Sequence, residues 1–281
     1  MRGKVDPGET RLRFDEVYWE NAWATVRILQ IKSKRRSHEL HGLFKSYLPA
    51  GKKSLFEVGC ALGSWMAYFS KDFGYKVDGI ELAPLAHAKT IQNLRLLGIK
   101  ATVYCGDVLS FTGGPYDIVF SYGFVEHFPD TDLVLKKLGD LCKPGGYVVT
   151  AVPSMEGLNW WISRTCRPSV AAGHYPIGID GLEEMHRRQG FETICLRRYG
   201  GFFLVSPWEK TTLAKKMPML ARWLGAPVYV WNRAISELTR LTRWYPQPSS
   251  VFAGTIYIGR KPDEPRPVLE RLLTPRHLIR L

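Results

Sequence analysis

The stretch Ser54–Trp65, SLFEVGCALGSW, decides the fold of this chain. It begins with a short apolar run, Ser54–Val58, and continues with two glycines, Gly59 and Gly63. Apolar residues then recur at helical spacing over Ser64–Phe73. The stretch therefore predicts a strand, a tight glycine turn and a helix, a geometry that lets a ligand approach backbone N–H groups at a helix N-terminus.

The alternation of strand and helix continues along the chain. We predict further strands over Tyr75–Ile80, Ala101–Cys105, Tyr116–Ser121 and Tyr147–Val152, with helices over residues 84–97 and 130–142. Such an alternation forms a parallel, doubly wound α/β sheet, in which ligands bind at the carboxyl ends of the strands. Polar side chains fall at those ends, namely Glu57, Glu81, Asp107, Ser121, Glu126 and His127.

The glycine turn separates two classes of cofactor. The dinucleotide pattern G-x-G-x-x-G places Ala61 and Ser64 where glycines are needed, so hydride transfer is weakly supported. The second pattern is an acidic residue followed by glycines at every second position. Glu57, Gly59, Ala61 and Gly63 match it, with alanine in place of the middle glycine. In this pattern the chain resembles the class I S-adenosylmethionine-dependent methyltransferases of the small-molecule type, similar to methyltransferase types 11 and 12. The resemblance covers Glu57 to Val152 and includes the LCKPGG turn before the fifth strand.

The resemblance implies S-adenosyl-L-methionine as cofactor and assigns residues to it. Glu57 would steady the turn and the cofactor's amino group, while Gly59 and Cys60 would contact its methionine part. Glu81 is placed to bind the ribose diol, and Asp107 the adenine amino group. The cofactor-binding residues that we predict are Glu57, Gly59, Cys60, Gly63, Glu81, Leu82, Asp107, Val108 and Ser121.

Two helices are predicted before the first strand, over Asp15–Ile31 and His38–Leu48. The resemblance implies that such helices cover the cofactor. The basic cluster between them, residues 32–36, is typical of a solvated junction, with a nucleic-acid contact as the alternative. Trp19 and Trp23 are one turn apart and share a face of the first helix. The resemblance makes Tyr18, Trp19 and Trp23 candidates for the pocket wall, with ordinary core packing as the alternative for at least one of them. The predicted substrate-binding residues are Tyr18, Trp19, Trp23, Tyr122 and Trp160.

The second half of the chain completes the sheet. We predict a loop over Pro153–Arg164, a helix over Asp180–Gln189, a strand over residues 191–199 and a last strand over Phe252–Arg260, for seven strands in all. The resemblance makes the last strand antiparallel. We divide the chain into an N-terminal helical lid (1–50), a Rossmann-like methyltransferase domain (51–260) and a peripheral tail (261–281).

An insertion over residues 200–250 precedes the last strand. It holds seven basic and two acidic residues. Apolar residues spaced three or four apart predict an amphipathic helix that begins at Pro227 and runs to about residue 245. A lid packed on the protein, a membrane-surface contact and a dimer face all fit this pattern.

Two histidines are candidates for a general base. His127 follows the fourth strand, where acceptors are presented, and His174 lies in the loop AAGHYP. A histidine that only satisfies the backbone is the alternative for His127, and a surface loop for His174. With Glu126 these residues resemble part of the E-x-x-E-H pattern of metal-assisted O-methyltransferases. Gly123 stands where the first glutamate should be, so we predict no metal.

We therefore expect methyl transfer to the oxygen or nitrogen of a small, hydrophobic or lipid-like acceptor. A net charge of +13 supports the alternative of a nucleic-acid methyltransferase, but the loop SYGFVEH has no N-P-P-[YF] motif. A non-enzymatic scaffold would have no use for the intact cofactor residues. The chain shows no apolar run near the ~20 residues of a membrane span and no signal peptide, which favours the cytoplasm.

Overall fold

A computed structural model describes residues 15–24, 26, 38–209 and 211–264. Seven strands form one sheet in the order β3-β2-β1-β4-β5-β7-β6, in which β7 is antiparallel to both of its neighbours. The strands are β1 (Ser54–Val58), β2 (Lys76–Glu81), β3 (Ala101–Cys105), β4 (Tyr116–Tyr122), β5 (Cys142–Pro153), β6 (Glu192–Gly201) and β7 (Phe252–Arg260). The predicted doubly wound sheet with an antiparallel last strand is confirmed.

Helices cover both faces of the sheet. They are α1 (Glu16–Ala24), α2 (His38–Tyr47), α3 (Ser64–Phe73), α4 (Pro84–Leu96), α5 (Thr131–Leu141), α6 (Gly157–Cys166), α7 (Pro168–Ala171), α8 (Ile179–Arg188), α9 (Thr212–Lys216) and α10 (Pro218–Thr242). One apolar core lies between the sheet and α2, α3 and α4, and a second lies between the sheet and α5 and α8. Because α2 contributes Phe44 to the first core, it is part of the packed body as well as of the predicted lid segment.

Three predicted elements differ from the structure. The first helix ends at Ala24, and residues 27–37, including the basic cluster, lie outside the described residues. The segment Pro153–Arg164, predicted as a loop, contains α6. The side-chain NH2 group of Asn159 donates to the carbonyls of Phe203 and Phe252, contacts that fix this helix and that local sequence does not reveal.

The third difference concerns the insertion. The helix α10 begins at Pro218, and Pro227 lies inside it. A proline in a helix interior costs about 3 kcal/mol, which is why Pro227 was predicted to open the helix. Pro218 takes the first-turn position, where a missing N–H is tolerated. No helix in the described ranges has the length and apolarity to cross a membrane.

A partly buried network joins the start of β1 to β4 and β5. The Asp117 carboxylate accepts hydrogen bonds from the backbone N–H and the hydroxyl of Ser54, at 2.8 and 2.7 Å, and from the Lys143 ammonium group at 2.9 Å. Burial alone would raise the pKa of Asp117, but these bonds lower it from 3.8 to about 2. A carboxylate whose pKa is depressed on folding stabilises the fold above its unfolded pKa and loses that effect as the pH falls towards 2.

We expect the substitution Asp117→Asn to reduce the free energy of unfolding by about 1–2 kcal/mol at pH 7. At pH 3 the Asp117 carboxylate of the folded protein stays mostly ionised while that of the unfolded chain binds protons, so the difference from the wild type should shrink by roughly 1 kcal/mol between pH 7 and pH 3. Urea unfolding at both pH values measures this difference, with Asp140→Asn, in an exposed ion pair, as control. A difference that does not change with pH would contradict the assignment.

Candidate active site

A cavity of about 520 Å³ opens at the carboxyl ends of β1, β2 and β4. The topology places it there because these three strands are parallel neighbours in the middle of the sheet. Eleven predicted site residues line it: Trp19, Trp23, Glu57, Gly59, Cys60, Glu81, Leu82, Asp107, Val108, Tyr122 and His127. The cavity therefore unites residues predicted for the cofactor with residues predicted for substrate and catalysis.

The turn after β1 has three residues in the left-handed region of the backbone, Gly59 (φ 67°), Ala61 (φ 42°) and Gly63 (φ 74°). A Cβ atom at Gly59 would lie 2.8 Å from the Phe124 ring, so this position requires glycine. Ala61 occupies a conformation that glycine adopts without strain. Its N–H donates to Glu81 Oε2 at 2.8 Å, which helps to hold it there. Ala61 thus serves as the missing glycine of the sequence pattern.

The backbone N–H groups of Gly59 and Cys60 do not point to the cavity. Both donate to the carbonyl oxygen of Ile80, at 3.0 and 3.1 Å. The expectation that this part of the turn offers bare N–H groups to a ligand is therefore wrong. Contacts from Gly59 and Cys60 to the methionine part of a cofactor have to come from their carbonyl oxygens, which suit its ammonium group because that group only donates.

Two buried glutamates stabilise the turn. Glu57 Oε2 accepts from the backbone N–H of Met66, in the first turn of α3, at 2.9 Å. Glu81 accepts from Ala61 N at Oε2 and from Ala83 N at Oε1, the latter at 3.1 Å. Burial raises the pKa of Glu81, while the hydrogen bonds from Ala83 and Ala61 oppose that rise. Glu81 therefore has a structural role in addition to its predicted contact with a ribose diol.

The loop after β3 forms the wall predicted to bind adenine. Asp107 is exposed on the cavity wall, and its Oδ1 accepts from the backbone N–H of Leu109 at 2.9 Å. Val108 beside it is buried. The same wall contains Leu82, which follows β2. An acidic acceptor next to apolar side chains matches the polar edge and apolar faces of a purine.

The helix α1 covers the cavity and is tied to α4 at its middle and at its C-terminal end. The Glu20 carboxylate accepts from Leu85 N in the first turn of α4, at 3.0 and 3.1 Å. Lys89 Nζ donates to the carbonyls of Trp23 and Val26, at 2.6 and 2.8 Å. These contacts place Trp19 and Trp23 on the cavity wall, where the sequence predicts them.

His127 lies on the cavity wall opposite the glycine turn. Its Nδ1 donates to the Gly173 carbonyl at 2.8 Å, because a carbonyl can only accept, so Nε2 is the basic nitrogen. The Trp19 ring packs edge-on against the imidazole, with centroids 5.1 Å apart. Burial, together with the nearby His174, lowers the pKa of His127 to about 4, against the effect of the Gly173 bond. The imidazole is therefore neutral at pH 7 and able to accept a proton.

Glu126 and His174 lie next to His127. Glu126 is 1% exposed, and neither of its carboxylate oxygens has a hydrogen-bond partner among the described residues. Burial raises the pKa of Glu126 to about 8. Glu126 Oε1 lies 3.9 Å from His127 Nε2, and because burial disfavours both charged forms the two side chains face each other uncharged.

The same three side chains are suited to a cation. Their ligand atoms lie within 4.8 Å of one another, and His174 Nδ1 donates to the Val170 carbonyl at 2.7 Å, as His127 Nδ1 does to Gly173. Histidines that bind metals usually make such a bond through the other ring nitrogen. The donor set thus fits a divalent ion although Gly123 replaces the first glutamate of the pattern. That no metal binds stays a prediction.

Five predicted site residues are not on the cavity wall: Tyr18, Gly63, Ser121, Trp160 and His174. Gly63 ends the turn just before α3, and its N–H donates to the Cys60 carbonyl at 2.8 Å. Ser121 is buried at the end of β4. Tyr18 points partly to solvent and touches Trp19, whereas Trp160 packs against the second core. His174 contacts His127 with ring centroids 4.9 Å apart but does not itself line the cavity.

Sequence reasoning missed three aromatic residues on the wall, Trp65, Phe124 and Phe128. The two phenylalanines flank the turn Val125–His127 with their rings 4.9 Å apart. Their position in the loop after a central strand was a usable signal, because that loop faces the ligand in this kind of sheet. Trp65 was read only as part of the apolar face of α3.

Comparisons with known proteins agree with this geometry. A family model described as a methyltransferase domain matches residues 32–196, more than half of the chain. The 2-methyl-6-phytyl-1,4-hydroquinone methyltransferase of Synechocystis sp. is 30% identical over 146 residues, which are 49% of this chain and 45% of that protein. The ubiquinone biosynthesis O-methyltransferase of Vibrio parahaemolyticus is 31% identical over 155 residues, 51% of this chain and 61% of that protein.

The fold is also found among solved structures. Phosphoethanolamine N-methyltransferase 2 of Haemonchus contortus, in complex with S-adenosyl-L-methionine, superposes with a TM-score of 0.57 and 16% identity. The superposition covers 92% of this chain and 61% of that one. The matches to the Synechocystis, Vibrio and Haemonchus proteins span less than two thirds of the length of each.

We expect Glu81→Gln to weaken binding of S-adenosylhomocysteine by roughly ten- to a hundredfold, because hydrogen bonds to a charged group contribute about 1.5–3 kcal/mol. Calorimetric titration measures the affinity, and circular dichroism checks that the variant is folded. Asp140→Asn, on the exposed face of α5, serves as the control. Unchanged affinity of a folded Glu81→Gln protein would remove Glu81 from the ribose site.

A second prediction concerns the helix over the cavity. Lys89→Met keeps the length of the side chain but removes the donor to the end of α1, so α1 should detach more often. We expect S-adenosylhomocysteine to dissociate several-fold faster, with a smaller change in the association rate. Stopped-flow tryptophan fluorescence follows both rates, and Lys100→Met is the matched control. Equal dissociation rates would show that α1 does not hold the ligand.

Proposed function

We propose that this chain, which belongs to the class I S-adenosylmethionine-dependent methyltransferases, transfers the cofactor's methyl group to a hydroxyl or amine of a small hydrophobic acceptor. The observation that carries the proposal is the position of His127, a neutral base on the wall of a cavity that also holds the predicted cofactor residues. The match to the Synechocystis protein covers about half of each chain, so the activity of the whole protein is part of the proposal.

Aromatic side chains support a hydrophobic acceptor. Around His127 the wall is formed by the rings of Trp19, Trp23, Phe124 and Phe128. Such rings favour a flat or apolar molecule and exclude water from the reacting atoms. The names of two relatives point the same way, since one acts on a phytyl-substituted hydroquinone and the other belongs to ubiquinone biosynthesis.

The residues of the chain orient the reactants and accept a proton. The cofactor would supply an activated sulfonium methyl group: the acceptor bonds to the methyl carbon in line with the breaking carbon–sulfur bond, and S-adenosylhomocysteine leaves. Orientation of two reactants can account for roughly 7 to 11 kcal/mol of the barrier. The hydrogen bond from His127 Nδ1 to Gly173 keeps Nε2 as the acceptor nitrogen, and Nε2 takes the proton of the acceptor's hydroxyl as the new bond forms.

A divalent cation at Glu126, His127 and His174 would instead polarise the acceptor oxygen. We propose the metal-free reaction, in which EDTA leaves turnover unchanged. The proposal also includes a cytoplasmic location and a peripheral membrane contact through residues 227–245, beside a lipid-dissolved acceptor. The nucleic-acid alternative retains only the support of the net charge of +13.

We expect His127→Asn to lower turnover by about 10²- to 10⁴-fold while S-adenosylhomocysteine binds as in the wild type. Asparagine can still donate to the Gly173 carbonyl but cannot act as a base. Turnover is measured as release of S-adenosylhomocysteine with alkylated hydroquinones and hydrophobic amines as acceptors. The control is His87→Asn, whose imidazole contacts the Val103 carbonyl on the outside of the sheet.

The pH dependence gives a second readout of the same residue. Since the pKa of His127 is lowered to about 4, the neutral imidazole persists through mildly acidic conditions. Wild-type turnover should therefore fall only as the pH approaches 4, well below the usual range of histidine. If His127→Asn retains turnover, or if the wild type loses activity around pH 6.5, then the protein contributes only the orientation of the reactants.

A further inference from the structure

The helix α10 lies mostly outside the packed body of the protein. Of its 25 residues only Ala221 is buried. Large apolar side chains project into solvent along it, with Trp223 81%, Met219 75% and Leu241 70% exposed. Met219 and Trp223 are four residues apart and Leu241 is about five turns further along, so the three side chains lie on one stripe of the helix. A groove of about 850 Å³ is lined by Met219, Trp223 and further α10 residues, among them Pro227 and Trp231.

Positive charges border this apolar stripe. Residues 211–244 hold six basic residues against one acidic residue. Arg222 and Arg233 are exposed beside the stripe, and the single acidic residue, Glu237, is already paired with Arg240 at 2.7 Å. An exposed apolar stripe with tryptophans, flanked by arginine, is the composition of helices that lie in a membrane interface.

Hydrogen bonds hold α10 at the edge of the sheet where the carboxyl ends of the strands and the active-site cavity lie. The indole N–H of Trp231 donates to the Phe202 carbonyl at 2.8 Å, and the side-chain amide of Asn232 exchanges two hydrogen bonds with the backbone of Leu204. These contacts are made to the chain that leaves the carboxyl end of β6. There, the Tyr199 hydroxyl donates to Tyr122, a residue of the cavity wall, at 2.9 Å.

We propose that the exposed face of α10, residues 217–244, docks on an anionic lipid surface. The apolar stripe inserts among the acyl chains, while the arginines contact lipid phosphates. The inference deepens the proposed function, on which it rests for the identity of the acceptor, because docking would bring the cavity side of the sheet to a lipid-dissolved substrate.

Charge favours a lipid surface over a second copy of the chain. In a symmetric dimer the same patch faces itself, so Arg222, Arg233 and their neighbours would oppose arginines of the other copy. Like charges brought together without counter-charges are repulsive. An anionic bilayer offers an apolar interior for the apolar stripe and negative headgroups for the arginines beside it.

Sedimentation with vesicles tests the proposal on the full-length protein. We expect co-sedimentation with vesicles of phosphatidylcholine and phosphatidylglycerol, and weak binding to phosphatidylcholine alone. The double substitution Trp223→Ser/Leu241→Ser and, separately, Arg222→Gln/Arg233→Gln should each reduce partitioning roughly tenfold or more. High salt should weaken binding of the wild type, because it screens the arginines.

The control is Leu96→Ser/Leu133→Ser, which removes apolar side chains with 62% and 41% exposure from α4 and α5 and should bind vesicles as the wild type does. Neither cofactor nor acceptor is present in this assay. Titration of each variant with S-adenosylhomocysteine therefore tests the methyltransferase site separately. Wild-type protein that stays in the supernatant with anionic vesicles would overturn the inference, as would a dimer, seen by analytical ultracentrifugation, that Trp223→Ser/Leu241→Ser dissociates.

Discussion

The cavity depends on one buried carboxylate, that of Glu81 at the end of β2. Its two oxygens accept from the N–H groups of Ala61 and Ala83 and so join the glycine turn to the beginning of α4. This contact holds Ala61 in a left-handed conformation that a residue with a Cβ atom rarely adopts. A single hydrogen-bonded group thus links the turn, the start of α4 and the predicted ribose site.

The second constraint is the attachment of α1 to α4. The contacts of Glu20 and Lys89 bring the N-terminal tryptophans over the cavity without burying α1 in the core. A segment held mainly by a few hydrogen bonds opens at lower cost than one packed into the core along its length. Ligand entry through this side fits that arrangement, while the sheet and its two cores remain fixed.

Of the neighbouring side chains Glu126, His127 and His174, His127 is the one that lines the cavity. Burial keeps the glutamate protonated and the imidazole of His127 neutral, so a low-polarity pocket and a usable base coexist. The aromatic rings of the cavity wall and the exposed apolar side chains of α10 are two separate apolar surfaces of the protein.

The sequence by itself determined the sheet, since β1, β3 and β7 have the predicted bounds and the acids fall at strand ends as expected. Local periodicity and glycine positions suffice for such elements. Only the tertiary structure decided the remaining features. The N–H groups of Gly59 and Cys60 donate to the Ile80 carbonyl, and His174 packs against His127. Asn159 anchors α6, and α10 stays exposed. Each of these depends on contacts between residues far apart in the chain, which spacing along a sequence does not encode.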